Sequence, residues 1–386
     1  MKNPVYLCLA HMGGQEQQYI QRAFDTNWVV PLGPNVTEFE NLLADYHGGN
    51  SGVVALASGT AAIHLALVAL GVGKGDEVMV QSFTFCASAN PVVYVGATPV
   101  FVDSEPHTWN MDPDLLDEAI AERIRITGRV PKAIIPVTLY GMPYNVERIL
   151  EVALKYDIPV VEDSAEGLGS RYKGRPMGTF GTYGVLSFNG NKMITTSGGG
   201  ALLCNAPYRT EREEMRERIL YLATQARQPL PHYQHTEVGY NYRLSNISAG
   251  IGCGQMAVLD DHVRHHQRIH QRYVEAFADV PGVEVKTAPR PDYESNYWLS
   301  TILLDAPLRY DALSQLLQEE QIESRPLWKP MHLQPVFGSA PAYVNGVSED
   351  CFRRGLCLPS GPMVSEEDQQ RIVDIIRNYA LAHQKQ

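Results

Sequence analysis

A single lysine stands in a polar, glycine-rich segment of this sequence, SFNGNKMITTSGGG, residues 187–200. Lys192 lies between a compact polar turn and a run of threonine, serine and glycine, just after a predicted strand, and no other charged residue lies in the segment. Such a lysine is either an ordinary loop side chain or an amine that does covalent chemistry on a carbonyl group. The choice between these two hypotheses depends on the rest of the chain.

Two further motifs also follow predicted strands. In SGT, residues 58–60, Gly59 lets the backbone turn tightly, and Thr60 with the amides that start the next helix can hold an anion. An ordinary helix cap would use the same residue types. In VVEDSAEGLGS, residues 160–170, Asp163 follows a buried strand and needs a partner, such as a protonated pyridine nitrogen. A structural salt bridge or a helix cap is the alternative for this aspartate.

Ser187 lies five residues before Lys192 and could present its hydroxyl to a phosphate. The segment VGYNYRLSN, residues 238–246, sets Asn241 and Arg243 among tyrosines, which is also typical of a polar loop or an interface. Taken together, the four motifs match a ligand with a phosphate, a ring nitrogen that needs a carboxylate and a carbonyl that needs a lysine. Pyridoxal 5′-phosphate (PLP) is that ligand.

The elements that position these motifs form an α/β pattern. Short β-branched runs alternate with helical patterns between residues 52 and about 204, and several runs are continuously apolar, which is typical of a parallel sheet buried on both faces. The carboxyl ends of such strands meet at one edge, where ligands bind. A helical region over about 246–279 precedes more mixed elements. We therefore predict a large, mostly parallel-sheet domain with its N-terminal arm over 1–245, and a smaller α+β domain over 246–386.

Composition limits the function classes. The 386 residues suffice for two domains, and the net charge of −11 without a basic stretch argues against a nucleic-acid partner. Six scattered cysteines without a C-x-x-C pair are predicted to be free thiols in a reducing compartment, and no metal site is predicted. No apolar stretch reaches the roughly 18 residues of a membrane helix, and the N-terminal apolar run is too short for a signal peptide. We expect a cytoplasmic protein with no membrane partner.

Seven motifs in order make the chain resemble the DegT/DnrJ/EryC1/StrS family of nucleotide-sugar aminotransferases, which have PLP fold type I. The motifs are VPLGPNVTEFE (30–40), SGTAAIHLAL (58–67), DEVMVQSFTFCASANPVVYVGATPVFVDS (76–104), PVVEDSAEGLGS (159–170), SFNGNK (187–192), GYNYRLS (239–245) and RPLWKPMHLQP (325–335). A chance match to seven ordered motifs across nearly the whole chain is not expected, so the resemblance favours the covalent role for Lys192.

The resemblance implies roles around the cofactor ring. Lys192 matches the lysine that forms the Schiff base with PLP and then moves protons, and Asp163 matches the partner of the pyridine nitrogen. Phe85 matches the aromatic residue that stacks on the ring, although SFTFC could simply be core packing. Glu166 stands where many relatives have glutamine or histidine, near the phenolic oxygen of PLP. A glutamate donates a hydrogen bond there only when it is protonated.

The resemblance also implies how the phosphate is held. Thr60, the amide of Gly59 and Ser187 match phosphate ligands of one subunit. Asn241 matches an asparagine that the neighbouring subunit lends to the phosphate. The active unit is therefore expected to be a homodimer with shared active sites.

The resemblance further implies the substrates. L-Glutamate is the expected amino donor, and the expected acceptor is C4 of a nucleotide-linked 4-keto-6-deoxy sugar. The branch that it resembles most is the one acting on UDP-4-keto-6-deoxy-N-acetylglucosamine in bacillosamine-type and legionaminic-type pathways. Arg243, Trp328, Lys329 and His332 are the candidate substrate residues, although the WKP segment could equally pack the small domain against the large one. Relatives that make other 4-amino sugars, such as GDP- or dTDP-linked perosamine-type sugars, share the same core.

Related sugar dehydratases carry histidine where this chain has Lys192, so the lysine favours transamination over dehydration. Two other classes remain open at this stage. A PLP-dependent lyase or desulfurase would need a catalytic cysteine, for which Cys86 beside Phe85 is the candidate. A non-catalytic protein that kept the fold would typically have lost Lys192 or Asp163, and both are present.

Overall fold

A computed structural model describes residues 3–383, which fold into twelve α-helices and fifteen β-strands. The helices are α1 (Glu16–Asp25), α2 (Pro34–Tyr46), α3 (Gly59–Ala69), α4 (Asn90–Tyr94), α5 (Pro113–Thr127), α6 (Val146–Tyr156), α7 (Arg209–Ala223), α8 (Asn246–Met256), α9 (Leu259–Phe277), α10 (Tyr310–Glu319), α11 (Val347–Arg354) and α12 (Glu366–His383). The strands are β1 (Ser51–Leu56), β2 (Glu77–Gln81), β3 (Thr98–Val102), β4 (Ala133–Ile135), β5 (Val161–Asp163), β6 (Arg171–Tyr172), β7 (Arg175–Pro176), β8 (Tyr183–Ser187), β9 (Gly200–Asn205), β10 (Val283–Val285), β11 (Tyr293–Glu294), β12 (Ser300–Leu304), β13 (Arg325–Pro326), β14 (Ala342–Tyr343) and β15 (Gly355–Leu358). Within the described range, none of the helices has the length and apolar character that crossing a bilayer requires.

The large sheet consists of two four-stranded parts, in the orders β1-β9-β8-β5 and β14-β3-β2-β4. Parallel bridges from Ile134 to Val160 and from Val137 to Asp163 join β4 to β5, so the two parts form one continuous surface. Strand β9 runs antiparallel to both of its neighbours, and the other strand pairs are parallel. The predicted α/β class with a mostly parallel sheet is therefore confirmed.

Helix α3 brings its first residues to the carboxyl edge of this sheet. The side chain of Ser58 caps the helix by accepting a hydrogen bond from the amide of Ala61, at 3.0 Å. Most residues of α3 are apolar and buried, including Ile63 and Leu65, because the helix packs against β8 and β9 and against α4 and α7. A helix that is buried on nearly all sides holds its N-terminus in a fixed place.

The C-terminal part has an antiparallel sheet of its own, in the order β10-β12-β15-β13, against which α9, α10 and α12 pack. The helical region predicted over 246–279 consists of two helices. The first, α8, packs closely against α1 and α2 and ends at Met256, and α9 begins at Leu259. A Cβ atom on Gly254 of α8 would lie 2.7 Å from the amide nitrogen of Glu16. The domain division at 245/246 stays a prediction, and residues 1, 2 and 384–386 of the two domain ranges lie outside the described residues.

Buried histidines on α9 predict a loss of stability in acid. His266 and His270 are buried, and the ring of His270 stacks on Tyr297 with 3.5 Å between ring centroids. Burial lowers the pKa of His266 to about 3 and that of His270 to about 4. The unfolded chain binds these protons near pH 6.5. The stability that the neutral rings contribute is therefore complete above pH 6.5 and is lost as the pH falls through about 4.

Between pH 6.5 and pH 4, we expect the free energy of unfolding of the wild type to fall by about 3 kcal/mol more than that of His270→Phe. Urea unfolding followed by circular dichroism at several pH values measures this difference. His232→Phe, at an exposed histidine, should keep the wild-type dependence on pH. An unchanged pH dependence in His270→Phe would contradict the assignment of acid lability to this ring.

Candidate active site

A cavity of about 280 Å³ lies where the parallel strands β1, β5 and β8 end. It brings together residues that are far apart in the sequence. The predicted site residues that line it are Gly59, Thr60, Phe85, Asp163, Glu166, Ser187, Lys192 and Trp328. Strand direction explains this convergence, because Asp163 and Ser187 are the last residues of β5 and β8.

Four predicted site residues do not line this cavity. Asn241 is exposed in the single chain, and Lys329 lines a neighbouring cavity of about 780 Å³. Nη1 of Arg243 donates to Oε1 of Glu40 at 2.6 Å and to the carbonyl of Ala55 at 3.0 Å, and the Arg243 side chain is 10% exposed.

His332 is also away from the small cavity. Its Nδ1 lies 2.6 Å from Oγ of Ser82, and its Nε2 lies 3.2 Å from Oε1 of Glu349. These contacts engage both ring nitrogens in joining the segment after β13 to the end of β2 and to α11. The substrate roles predicted for Arg243 and His332 stay predictions.

Asp163 is a buried carboxylate with a fixed orientation. Oγ of Ser88 donates to Oδ2 at 2.6 Å, and the amide of Ala165 donates to Oδ1 at 3.1 Å. The hydroxyls of Thr84 and Ser88 are themselves 2.8 Å apart. Burial raises the pKa of Asp163, whereas these two hydrogen bonds and the positive charge of Lys192 oppose the rise. A cationic ring nitrogen in the cavity would relieve the cost of this buried charge.

Lys192 points its amine over an aromatic ring and towards a second carboxylate. Its Nζ lies 3.8 Å from the ring centroid of Trp298 and 3.4 Å from Oε1 of Glu166. Nε1 of Trp298 donates to the carbonyl of Asn191 at 2.6 Å, which ties the indole to the lysine loop. The amide of Tyr140 donates to Oε2 of Glu166 at 2.6 Å. Burial raises the pKa of Glu166, and the charge of Lys192 opposes this rise.

Sequence reasoning missed the supporting residues. Trp298 lies just before β12 and is buried, so its sequence signal is that of a core residue. Ser88 and Tyr140 contact the site through hydrogen bonds to Asp163 and Glu166, which sequence spacing does not indicate. A buried tryptophan beside a strand offers no sequence signal of a lysine partner more than a hundred residues away.

The far end of the cavity is the N-terminus of α3. The first amides of a helix have no partner within the helix, so the amides of Gly59 and Thr60 can donate hydrogen bonds to an anion, with the Ser187 hydroxyl beside them. Strand β9 starts directly behind this helix end. A Cβ atom on Gly200 would lie 2.4 Å from the amide nitrogen of Gly59 and 2.7 Å from the carbonyl oxygen of Leu186.

We expect Gly200→Ala to displace the start of α3, because the added methyl meets backbone atoms and not flexible side chains. PLP should bind at least tenfold more weakly, with a stability loss of about 1–3 kcal/mol. Titration of the apoprotein with PLP and thermal unfolding measure the two effects. Gly73→Ala is the matched control, because no atom lies within 4 Å of its added Cβ. Unchanged PLP affinity in Gly200→Ala would contradict a phosphate site at this helix end.

Aromatic rings border the open side of the cavity. Phe85 is 50% exposed, and its ring centroid lies 5.2 Å from that of Trp328. The hydroxyl of Tyr140 accepts a hydrogen bond from the amide of Trp328 at 2.8 Å, and the two rings stack. Phe85 can therefore cover a flat ring within the cavity while Tyr140 and Trp328 support the wall.

The donors and acceptors of the cavity fit PLP. A buried carboxylate suits a pyridinium nitrogen, a lysine amine suits an aldehyde, and a helix N-terminus suits a phosphate. Their arrangement at the carboxyl edge of a mostly parallel sheet defines the class, which is that of PLP-dependent enzymes of fold type I.

Comparison with known proteins identifies the family. The profile of the DegT/DnrJ/EryC1/StrS aminotransferase family matches residues 10–377. EpsN of Bacillus subtilis, which is assigned as a PLP-dependent aminotransferase, is 49% identical, with 97% of this chain and 96% of EpsN covered. GDP-perosamine synthase of Caulobacter vibrioides is 36% identical, with 94% of each chain covered.

Solved structures support the same family assignment. Spr1654 of Streptococcus pneumoniae, which is assigned as a sugar aminotransferase, matches in its PLP form with a TM-score of 0.91 at 27% identity, covering 98% of this chain and 99% of that one. Its PMP form matches with the same TM-score at 26% identity, covering 99% of each chain. This chain therefore belongs to the DegT/DnrJ/EryC1/StrS aminotransferase family. It is an aminotransferase, and its cofactor is PLP.

Proposed function

We propose that this aminotransferase moves the amino group of L-glutamate to C4 of a nucleotide-linked 4-keto-6-deoxy sugar, with UDP-4-keto-6-deoxy-N-acetylglucosamine as the first choice. The supporting observation is the cavity of about 780 Å³ that shares Phe85, Trp298 and Trp328 with the lysine cavity. Its volume suits a sugar nucleotide, and its lining adds Arg325 and Lys329, whose cations suit a diphosphate.

Lys192 is the acid–base residue of this proposal. Bound PLP supplies a carbonyl that bonds to amines and a ring that takes up the electron pair left when an adjacent carbon loses its proton. Nζ of Lys192 accepts the α-proton of glutamate in one half-reaction and delivers a proton to C4 of the sugar in the other. Asp163 favours a protonated ring nitrogen, and Phe85 covers the ring face. We assign the phosphate to the amide of Gly59, Thr60 and Ser187.

The proposal includes a homodimer. Asn241 is exposed and outside the cavity of its own chain, as a residue that serves a neighbouring subunit must be. Exposed apolar side chains along the N-terminal arm, including Phe24, Trp28 and Leu32, provide a surface that a second subunit can cover. The proposal requires this apolar surface and Asn241 to lie at the same interface, so that Asn241 reaches the active site of the neighbouring subunit.

Two alternatives have different support. A GDP-linked acceptor of the perosamine type is favoured by the similarity to the Caulobacter GDP-perosamine synthase, and a dTDP-linked acceptor is the further alternative. A cysteine-based lyase is disfavoured, because burial raises the pKa of Cys86 and so reduces its thiolate fraction at neutral pH. All six cysteines are free thiols, as the sequence predicts.

The test follows the visible absorption of PLP-loaded protein. Adding L-glutamate should decrease this absorption and release 2-oxoglutarate in equal amount. Adding nucleotide 4-ketosugars one at a time should then restore the absorption with the true acceptor. Recovery with a GDP- or dTDP-linked sugar but not with the UDP-linked one would replace the first-choice acceptor. A spectrum that glutamate leaves unchanged would refute the proposed amino donor.

A further inference from the structure

The lysine cavity contains two carboxylates, and they are held in different ways. Both oxygens of Asp163 accept hydrogen bonds from their own surroundings, namely Ser88 and the amide of Ala165. Glu166 has one oxygen, Oε2, held by the amide of Tyr140, while Oε1 lies 3.4 Å from Nζ of Lys192. Glu166 is thus the carboxylate that contacts the reactive amine directly.

The position of Oε1 is set by the backbone around it. Tyr140, whose amide donates to Oε2 of Glu166, has a left-handed conformation with φ of 52°. Nδ2 of Asn296 donates to the carbonyl of Glu166 at 2.9 Å and so fixes the main chain. The side chain of Glu166 is 5% exposed, and that of Lys192 is 14% exposed. Water has little access to this pair.

A buried ammonium and a buried carboxylate can lower their joint desolvation cost by sharing a proton. The titratable groups that face Glu166 are Lys192, Asp163, Tyr140 and Cys357. Burial raises the pKa of Tyr140 and that of Cys357, so both are neutral near pH 7. Burial raises the pKa of Glu166, whereas the charge of Lys192 and the hydrogen bond from the amide of Tyr140 oppose this rise. Glu166 is therefore the group of this set that is placed to exchange a proton with Nζ of Lys192, 3.4 Å away.

We propose that Glu166 is the acid–base partner of Lys192, an inference that rests on the proposed function. Oε1 accepts a proton from Nζ, so that an N–H bond breaks, an O–H bond forms and the amine becomes the neutral nucleophile that attacks a carbonyl. The same proton returns to Nζ when the amine must act as an acid. A glutamine at this position could not accept this proton.

The test compares Glu166→Gln with Glu166→Asp. Glutamine keeps the acceptor for the amide of Tyr140 but cannot exchange a proton, whereas aspartate keeps the carboxylate. In stopped-flow mixing with L-glutamate, we expect the visible absorption of Glu166→Gln to decay on the order of 10²-fold more slowly than in the wild type. Glu166→Asp should recover to within about tenfold of the wild-type rate. Glu151→Gln, on the exposed surface of α6, is the control and should match the wild type.

A second readout does not depend on turnover. The visible absorption of resting, PLP-loaded protein is titrated with pH, and the midpoint should fall by about one pH unit or more in Glu166→Gln because a negative charge beside the nitrogen is lost. An unchanged midpoint overturns the inference, whether or not the rate falls, because a purely structural role could slow turnover alone. If the wild type does not react with glutamate while this shift is present, the proposed function fails and the acid–base pair stands.

Discussion

Replacing Lys192 by alanine is expected to abolish transamination, with a loss on the order of 10⁴-fold or more. The amine of Lys192 is the only side-chain group lining the described cavity that can form a Schiff base with an aldehyde, and its Nζ lies 3.4 Å from Oε1 of Glu166 and over the ring of Trp298. Without it, both the covalent anchor and the proton carrier of the proposed mechanism are lost. The measurements are release of 2-oxoglutarate and visible absorption after addition of PLP.

Lys192→Arg separates charge from covalent chemistry. Arginine keeps a cation facing Glu166 and Trp298, yet it stays protonated and cannot act as a nucleophile. It should therefore be as inactive as alanine while unfolding at a temperature close to that of the wild type. Lys132→Ala, at an exposed lysine, should retain full activity. Turnover by Lys192→Arg above one hundredth of the wild-type rate would contradict the proposed role of Lys192.

The carboxyl edge of the sheet was predictable because its determinants are local. Continuous apolar runs predict β1, β2, β3 and β5, and parallel strands end at a common edge. Asp163 and Ser187 terminate strands, so their convergence follows from strand direction alone. The start of α3 follows from Ser58, whose side chain caps the helix.

The walls of the cavity were not predictable in the same way. The apolar run KAIIPVTLY, residues 132–140, has the composition of a strand, yet β4 ends at Ile135, and the chain then turns so that Tyr140 has a positive φ and donates its amide to Glu166. Pro136 has no N–H for the strand ladder and directly follows the last residue of β4, so it accounts for the early end of the strand. The contacts of Tyr140 with Trp328 and Glu166 join segments that no local pattern connects. The contact of Trp298 with Lys192 likewise joins segments that only the folded chain brings together.

The difference between local sequence signals and long-range contacts also explains which predicted residues lie apart from the cavity. Arg243 belongs to a family motif, but its guanidinium pairs with Glu40 of α2, an acid that no local pattern connects to it. His332 is close in sequence to Trp328, yet it turns towards Ser82 and Glu349. Motif membership indicates the neighbourhood of a side chain, and long-range contacts then decide its direction.

Replacing Asp163 by asparagine is expected to lower the rate of the glutamate half-reaction by about 10²- to 10³-fold, because the buried negative charge that favours a protonated ring nitrogen is removed. Asparagine has nearly the same shape, and its oxygen can still accept from Ser88. The fold should therefore persist, and PLP should still bind through Lys192. Rapid mixing with L-glutamate gives the rate, and the absorption of the loaded protein reports PLP occupancy.

Asp157→Asn is the matched control for this substitution. Asp157 is exposed at the end of α6 in a left-handed conformation that asparagine adopts equally well, so its rate should equal that of the wild type. Ser88→Ala tests the support of the carboxylate, and we expect a smaller loss of about tenfold because one hydrogen bond to Oδ2 disappears while the charge remains. If Asp163→Asn reacts with glutamate within threefold of the wild-type rate, the charge of this carboxylate has no part in the reaction, and the assignment of Asp163 to the ring nitrogen is wrong.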